Sequence, residues 1–164
     1  MRVWRVCRKP HSAFDGEGAR LAGGRWNLKG TAVVYTSSSL SLAALEMLVH
    51  VDVADAPGDL VSIAAEIPAD LPVKTLKWSR LSRRWRDLPS PEELARIGTG
   101  WVESGETCVL AVPSVVVAQE KNYLLNPSHS DLVRIVVEPA EEFRFDPRLL
   151  GGRPARPRRK SPRS

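Results

Sequence analysis

Residues 23–50, GGRWNLKGTAVVYTSSSLSLAALEMLVH, place an arginine in a glycine-flanked loop, a tyrosine at the end of an apolar run, and one acid inside an apolar helical pattern. Ser37, Ser38 and Ser39 offer hydroxyls to the unpaired N–H groups of a first turn, and neither proline nor glycine follows before Pro57. The pattern predicts a helix over about residues 39–51. Leu40, Ala43, Ala44, Met47, Leu48 and Val51 recur at helical spacing, while Leu42, Leu45 and Val49 carry apolarity round most of the cylinder. Such a helix should be buried on nearly all sides. Glu46 then stands at the mouth of a cleft or is paired inside, because an isolated carboxylate among apolar groups is costly. The plainer alternative is a surface acid on the one wet stripe.

Working outward, Thr31–Thr36 reads as a strand that delivers Tyr35 beside the helix start. Residues 8–30, with Pro10, Asp15-Gly16, Gly18, Gly23-Gly24 and Gly30, read as loop with room for a short helical turn. Their glycine spacing matches neither a P-loop nor a GxGxxG fingerprint. Further strands are expected at Arg2–Cys7, Leu60–Ile67, Thr107–Val112 and Leu132–Val137, with Val115–Val117 resuming the third of these after Pro113-Ser114. Ser90-Pro91-Glu92-Glu93 reads as a helix start with a capping serine, running to about Glu103 and weakened by Gly98 and Gly100. Residues 68–90 look irregular and 120–129 a polar loop. Strands outnumber helices without alternating with them, which indicates a single α+β domain over residues 1–150.

The net charge of +5 comes from one end of the chain. Six of the 24 lysines and arginines lie in GGRPARPRRKSPRS, residues 151–164, which has no acid; the remaining 18 face 19 acidic groups. The body is close to neutral, and the basic tail, unable to bury apolar surface, is expected to be disordered. Charges interrupt the apolar residues of MRVWRVCRKP and no run reaches membrane-spanning length, so a cytoplasmic protein with no membrane association is expected. Cys7 and Cys108 read as buried thiols, and the histidines His11, His50 and His129 lack metal-ligand spacing, so no metal is expected. The tryptophans among the arginines of LKWSRLSRRWRDL, Trp78 and Trp85, admit RNA contact, or rings packed on the body with wet arginines.

The polar groups collected this way are Arg25, Tyr35, Glu46, Ser114, Asn122, Asn126 and His129. No serine-hydrolase elbow is among them. A guanidinium for phosphate, an aromatic ring and one carboxylate suit a phosphorylated ligand with a flat base.

The order of the motifs says more. GGRWN, VVYTSSSLSLAALE, LAVPSVVV, NYLLNPSH and FRFDPRLL, spread from about Arg2 to Leu150, closely resemble the RES domain family, the toxins of RES–Xre toxin–antitoxin modules. The resemblance implies a mixed β core flanked by helices, related to ADP-ribosyltransferases, and an activity on NAD as substrate with no cofactor. It implies Arg25 on the pyrophosphate, Tyr35 on the nicotinamide ring, Glu46 as the catalytic acid, Ser114 on nicotinamide or ribose, and Asn126 and His129 as further substrate-binding candidates. Depletion of NAD by hydrolysis or phosphorolysis is the leading expectation, as NAD glycohydrolase or NAD phosphorylase. ADP-ribosyl transfer to a protein and a non-enzymatic RNA-binding module are the alternatives. It also implies a hetero-oligomer with an Xre-type antitoxin that covers the active site, with DNA reached only through that partner.

Overall fold

β1 (Arg2–Arg8) pairs along its whole length with β3 (Leu60–Glu66), from Arg2 opposite Glu66 to Arg8 opposite Leu60, and this long antiparallel ladder frames the rest. The computed structural model describes residues 1–51, 57–77, 79 and 81–150. The basic tail and Trp78 therefore lie outside the described residues. On the far side of β1 lie β2 (Val34–Ser37), β6 (Lys121–Leu125), β5 (Val109–Pro113) and β4 (Val73–Thr75); β7 (Val136–Val137) and β8 (Glu141–Glu142) pair with β3. The result is one curled, eight-stranded mixed sheet in the order β4-β5-β6-β2-β1-β3-β7, parallel only between β4 and β5. Among the described residues the α-helices are α1 (Glu17–Ala22), α2 (Leu40–Leu48) and α3 (Glu92–Ser104). An α+β architecture with a mixed sheet and flanking helices was expected, and it is what the chain forms.

The two-residue period of the central strands divides the core into two layers. Val34, Leu125 and Val109 stand opposite one another on one face, with Val3, Ala65 and Ile67 beside them. One residue along, the row of Tyr35, Leu124 and Leu110 faces the other way, towards Trp26, Leu94, Trp101 and Trp85. Cys7 and Cys108 are both free and buried, and burial pushes the Cys108 thiol up to about 11, with the charge of Asp131 adding to the effect.

Several elements differ from the sequence reading, each for a visible reason. Residues 121–125, read as loop, form β6 at the centre of the sheet, because KNYLL sends Leu124 to one core and Leu125 to the other. Val115–Val117 does not resume the preceding strand: the Ser114 hydroxyl accepts from the N–H groups of Val116 and Val117 and turns the chain. Within 68–90, Val73–Thr75 gains a strand by parallel pairing at the edge, a partner that no local pattern announces. Residues 130–134 form a 3-10 turn, so the last of the expected strands begins only at Val136. Ser90 does not cap α3: Pro91 takes that position with extended ψ, and among the described residues the Ser90 hydroxyl has no partner. Finally, α2 is not buried all round. Leu42 and Ala43 are buried against β1 and β2, whereas Leu45 and Val49 are exposed, and with Leu40, Ala44 and Leu48 its outer side forms one wall of a groove closed by Phe143, Phe145 and Leu149.

Gly98 does not weaken α3; it lets another segment in. A methyl group there would overlap the Trp26 carbonyl oxygen, so only glycine allows the GGRWN segment to lie on the helix. The neighbouring Thr99 hydroxyl accepts from the Leu28 N–H at 2.9 Å. Gly98→Ala should therefore cost about 1–3 kcal/mol through overpacking and lower the thermal midpoint by several degrees. Gly100→Ala, whose added methyl would meet nothing within 4 Å, should leave the midpoint unchanged or raised in the same calorimetric scan.

Candidate active site

Glu46 leaves α2 towards the start of β6 and the end of β5, where two donors converge on the same carboxylate oxygen. The Ser114 hydroxyl donates to Oε1 at 2.7 Å and the Asn122 amide donates to it at 2.6 Å. Ser114 is fully buried. Its own oxygen accepts from Val116 N–H at 3.1 Å and Val117 N–H at 3.0 Å, so the turn after β5 orients its proton towards the acid. Behind Asn122, the Ser37 hydroxyl donates to the amide oxygen at 2.8 Å. α2 itself begins at Ser39, whose hydroxyl accepts from Leu42 N–H at 3.1 Å. The capping serine and the acid are thus placed by one short helix.

Arg25 sits at the tip of a tight turn closed by Gly24 and Asn27, in which the Gly24 N–H donates to the Asn27 carbonyl at 2.9 Å. Trp26 packs in the second core layer and is 3% exposed. The Arg25 guanidinium donates to the carbonyls of Trp85 at 2.7 Å and Asp87 at 3.4 Å, and these acceptors hold it half-buried. Burial lowers the Arg25 pKa, and the charge of Glu46, followed by that of Tyr35, opposes the fall. Arg25 and Glu46 therefore feel each other electrostatically, yet among the described residues no ion pair joins them. Each keeps hydrogen-bonding capacity for a third party.

Tyr35 supports the loop. Its hydroxyl donates to Asn27 Oδ1 at 2.7 Å and accepts from the Trp26 N–H at 3.0 Å, and burial raises its pKa far above the ordinary phenol value. Asn27, 1% exposed, gives its amide protons to the carbonyls of Ala19, Thr31 and Leu28. Gly24 makes room for this: a Cβ there would stand 2.7 Å from the Tyr35 hydroxyl and 2.8 Å from Asn27 Oδ1.

Of the residues singled out from sequence, Glu46 and Ser114 touch, and Arg25 is influenced by the charge of Glu46, while Tyr35 bonds the Arg25 loop. Asn126 and His129 do not join them. Asn126 follows the opposite end of β6 from Asn122, about 13 Å along the strand at the usual rise. Its amide donates to the Val102 carbonyl and its oxygen accepts from Ser128 N–H, while His129 Nδ1 accepts from Asp131 N–H and caps the 3-10 turn. Asn122, collected as a polar group but given no role, is a direct partner of the acid; Ser37 and Asn27 were missed as well. The available signal was the apolar end of KNYLL, which marks a strand with Asn122 near its start; its place beside Ser37 comes from the pairing of β2 with β6. Among the described residues no three His, Cys, Asp or Glu side chains gather as a metal site would require, and no helix is long and apolar enough to cross a membrane.

Fold and site together define a class: a one-sheet α+β domain in which a helix delivers one acid to an amide of a central strand and a hydroxyl of the turn after its neighbour, with a loop-held arginine that feels the acid's charge. The fold is similar to that of a chain in the crystal structure of the M. tuberculosis MbcT–MbcA toxin–antitoxin complex, with a TM-score of 0.68 at 16% identity over 92% of this chain and 86% of that one. The RES domain model matches residues 2–146, and the chain belongs to the RES domain family. It is 39% identical over 153 residues to the toxin Res of Yersinia enterocolitica, covering 91% of this chain and 99% of that protein. It is 33% identical over 153 residues to the Prs ADP-ribosylating toxin of a Sphingobium species, covering 90% and 95% respectively. The chain thus stands among the toxins of its family.

The anchoring role of the phenol can be measured. Tyr35→Phe keeps the ring but strands the buried Asn27 oxygen and the Trp26 N–H, and should cost about 1–3 kcal/mol in urea denaturation. Unchanged stability would show that the Arg25 loop is held by other contacts.

Proposed function

We propose that this RES-domain protein is the toxin of a toxin–antitoxin pair and that it breaks the nicotinamide–ribose bond of NAD, depleting the dinucleotide by hydrolysis or phosphorolysis. The observation that carries this reading is the Glu46 carboxylate, pinned through Oε1 by Ser114 and Asn122, with Oε2 left without a partner among the described residues, in the electrostatic field of Arg25. As the bond breaks, its electron pair moves to the pyridinium nitrogen and neutral nicotinamide leaves. Positive charge then develops on the ribose, where a fixed carboxylate hydrogen-bonded to a hydroxyl stabilises it. Water, losing a proton, or phosphate completes the substitution.

In this reading the remaining donors of Arg25 grip the pyrophosphate in the forked manner that a guanidinium favours. Tyr35 contributes only its ring face, because its hydroxyl is spent on the loop. Ser114, whose proton and lone pairs are all engaged, acts through Glu46 rather than on the substrate. Asn126 and His129 take no part. NAD enters as a substrate, and no separate cofactor or metal is invoked.

ADP-ribosyl transfer to a protein is the second reading, favoured by the relative named an ADP-ribosylating toxin. The RNA-binding alternative loses support, since Trp85 is 9% exposed within the core and Arg86 donates to the Val115 carbonyl. The partner in our reading is an Xre-type antitoxin covering the cleft and contacting DNA on the toxin's behalf, in keeping with a fold neighbour solved as a toxin–antitoxin complex.

Incubation of the purified chain with NAD, with and without phosphate, should release nicotinamide, with ADP-ribose or its phosphorylated form identified by mass. NAD recovered intact under both conditions would refute the proposal. Glu46→Gln keeps an acceptor for Ser114 and Asn122 but removes the charge, so NAD binding should persist while turnover falls roughly 100- to 1000-fold.

A further inference from the structure

We propose that Asn122, oriented by Ser37, is a positioning residue that decides which oxygen of Glu46 faces the substrate; this rests on the reading of Glu46 as the acid acting on NAD. A glutamate side chain has three rotatable bonds, so a carboxylate near the end of a short helix does not hold one oxygen in one place unaided. Here both donors meet on Oε1, Asn122 from near the start of β6 and Ser114 from the turn just after the adjacent β5. Ser114 alone would leave the carboxylate free to swing about a single contact. The second contact, from Asn122, fixes its plane and leaves Oε2 as the working oxygen.

The direction of the chain follows from the chemistry of its ends. An ionised carboxylate only accepts, so Asn122 must present its NH2 group to Glu46 and its oxygen to Ser37. The Ser37 hydroxyl, 4% exposed, must then donate. The accept-only carboxylate sets which end of the amide faces it, and the Ser37 hydroxyl, able to donate or accept, holds that orientation by donating to the amide oxygen. Ser37 and Asn122 are directly paired across β2 and β6, and Asn122 is paired in turn with Val112 of β5, so the relay is built into the register of the sheet. Glu120 lies at the rim, where its Oε2 accepts from the hydroxyls of Ser38 and Ser39 at 3.4 and 3.5 Å and so stays apart from the relay.

The test separates orientation from binding and folding. In steady-state assays of nicotinamide release, Asn122→Ala should lower kcat roughly 10- to 100-fold, with KM for NAD changed less than about twofold, because the amide touches the acid and not the substrate. Asn122→Asp, which keeps the volume but sets a second carboxylate against Glu46, should lose more than the alanine variant. Ser37→Ala should lower kcat about threefold to tenfold, Ser37→Thr should restore it, and Ser37→Ala added to Asn122→Ala should do nothing further. Independently of any activity, the carboxyl 13C resonance of Glu46, assigned by its absence in Glu46→Gln, should move in both alanine variants at unchanged melting temperature. An unmoved resonance, full activity in Asn122→Asp, or additive losses in the double variant would overturn the positioning role. A moved resonance in a protein whose wild type leaves NAD intact would instead uphold the relay and reject the NAD reading.

Discussion

A carboxylate drawn partly out of water has to be given back the hydrogen bonds it lost, and in this protein the way they are returned organises the site. One donor to Glu46 comes from β6 and the other from the turn after β5, yet the acid comes from a helix, so its geometry exists only when α2, β5 and β6 are assembled. Each donor is itself constrained: Ser114 by two backbone N–H groups of the turn that follows it, Asn122 by the hydroxyl of Ser37. The carboxylate is thus the last member of two chains of polar contacts that begin in backbone structure. This is why a strand register and a short turn, neither of which carries chemistry alone, bear on the reactivity of a residue elsewhere in the chain.

The arginine opposite is held by a different device. The Trp26 ring anchors the turn in the core, and the neighbouring Arg25 guanidinium rests on the carbonyls of Trp85 and Asp87. Asn27 and Tyr35 lock the turn from beneath, and Gly24 and Gly98 are the places where side chains would keep these parts from meeting. The GGRWN motif is therefore mostly scaffold, with one residue free for a ligand. Held in this way, the guanidinium and the carboxylate do not collapse into an ion pair, which would cancel the capacity of both to meet a charged substrate.

The same short helix has two faces with different partners. Its inner side packs on β1 and β2 and carries Glu46 to the relay, while Leu45 and the rest of its outer wall face a groove bounded by Phe143, Phe145 and Leu149. That groove explains why the apolar pattern of residues 40–51 runs so far round the cylinder although most of the helix is not in the core. Apolar periodicity reports that a face is covered by something apolar; it does not distinguish the centre of a domain from a shallow cleft near its surface.

Much of the architecture was legible in the chain alone. The strands β1 and β3, the two longer helices and the α+β class follow from apolar patterning and helical spacing, which are local consequences of backbone geometry. The ordered motifs from Arg25 to Ser114 pointed to the family, and two of the residues they singled out, Glu46 and Ser114, touch. What tertiary structure decided was pairing: that KNYLL becomes a central strand, that VKT finds a parallel partner, and that Asn122 reaches Glu46 while Asn126, further along the same strand, turns to the carbonyl of Val102. Local propensity determines which way a side chain points from its own backbone. Hydrogen bonds between residues far apart in the chain depend on which strands lie side by side, and that is set by the packing of the whole sheet.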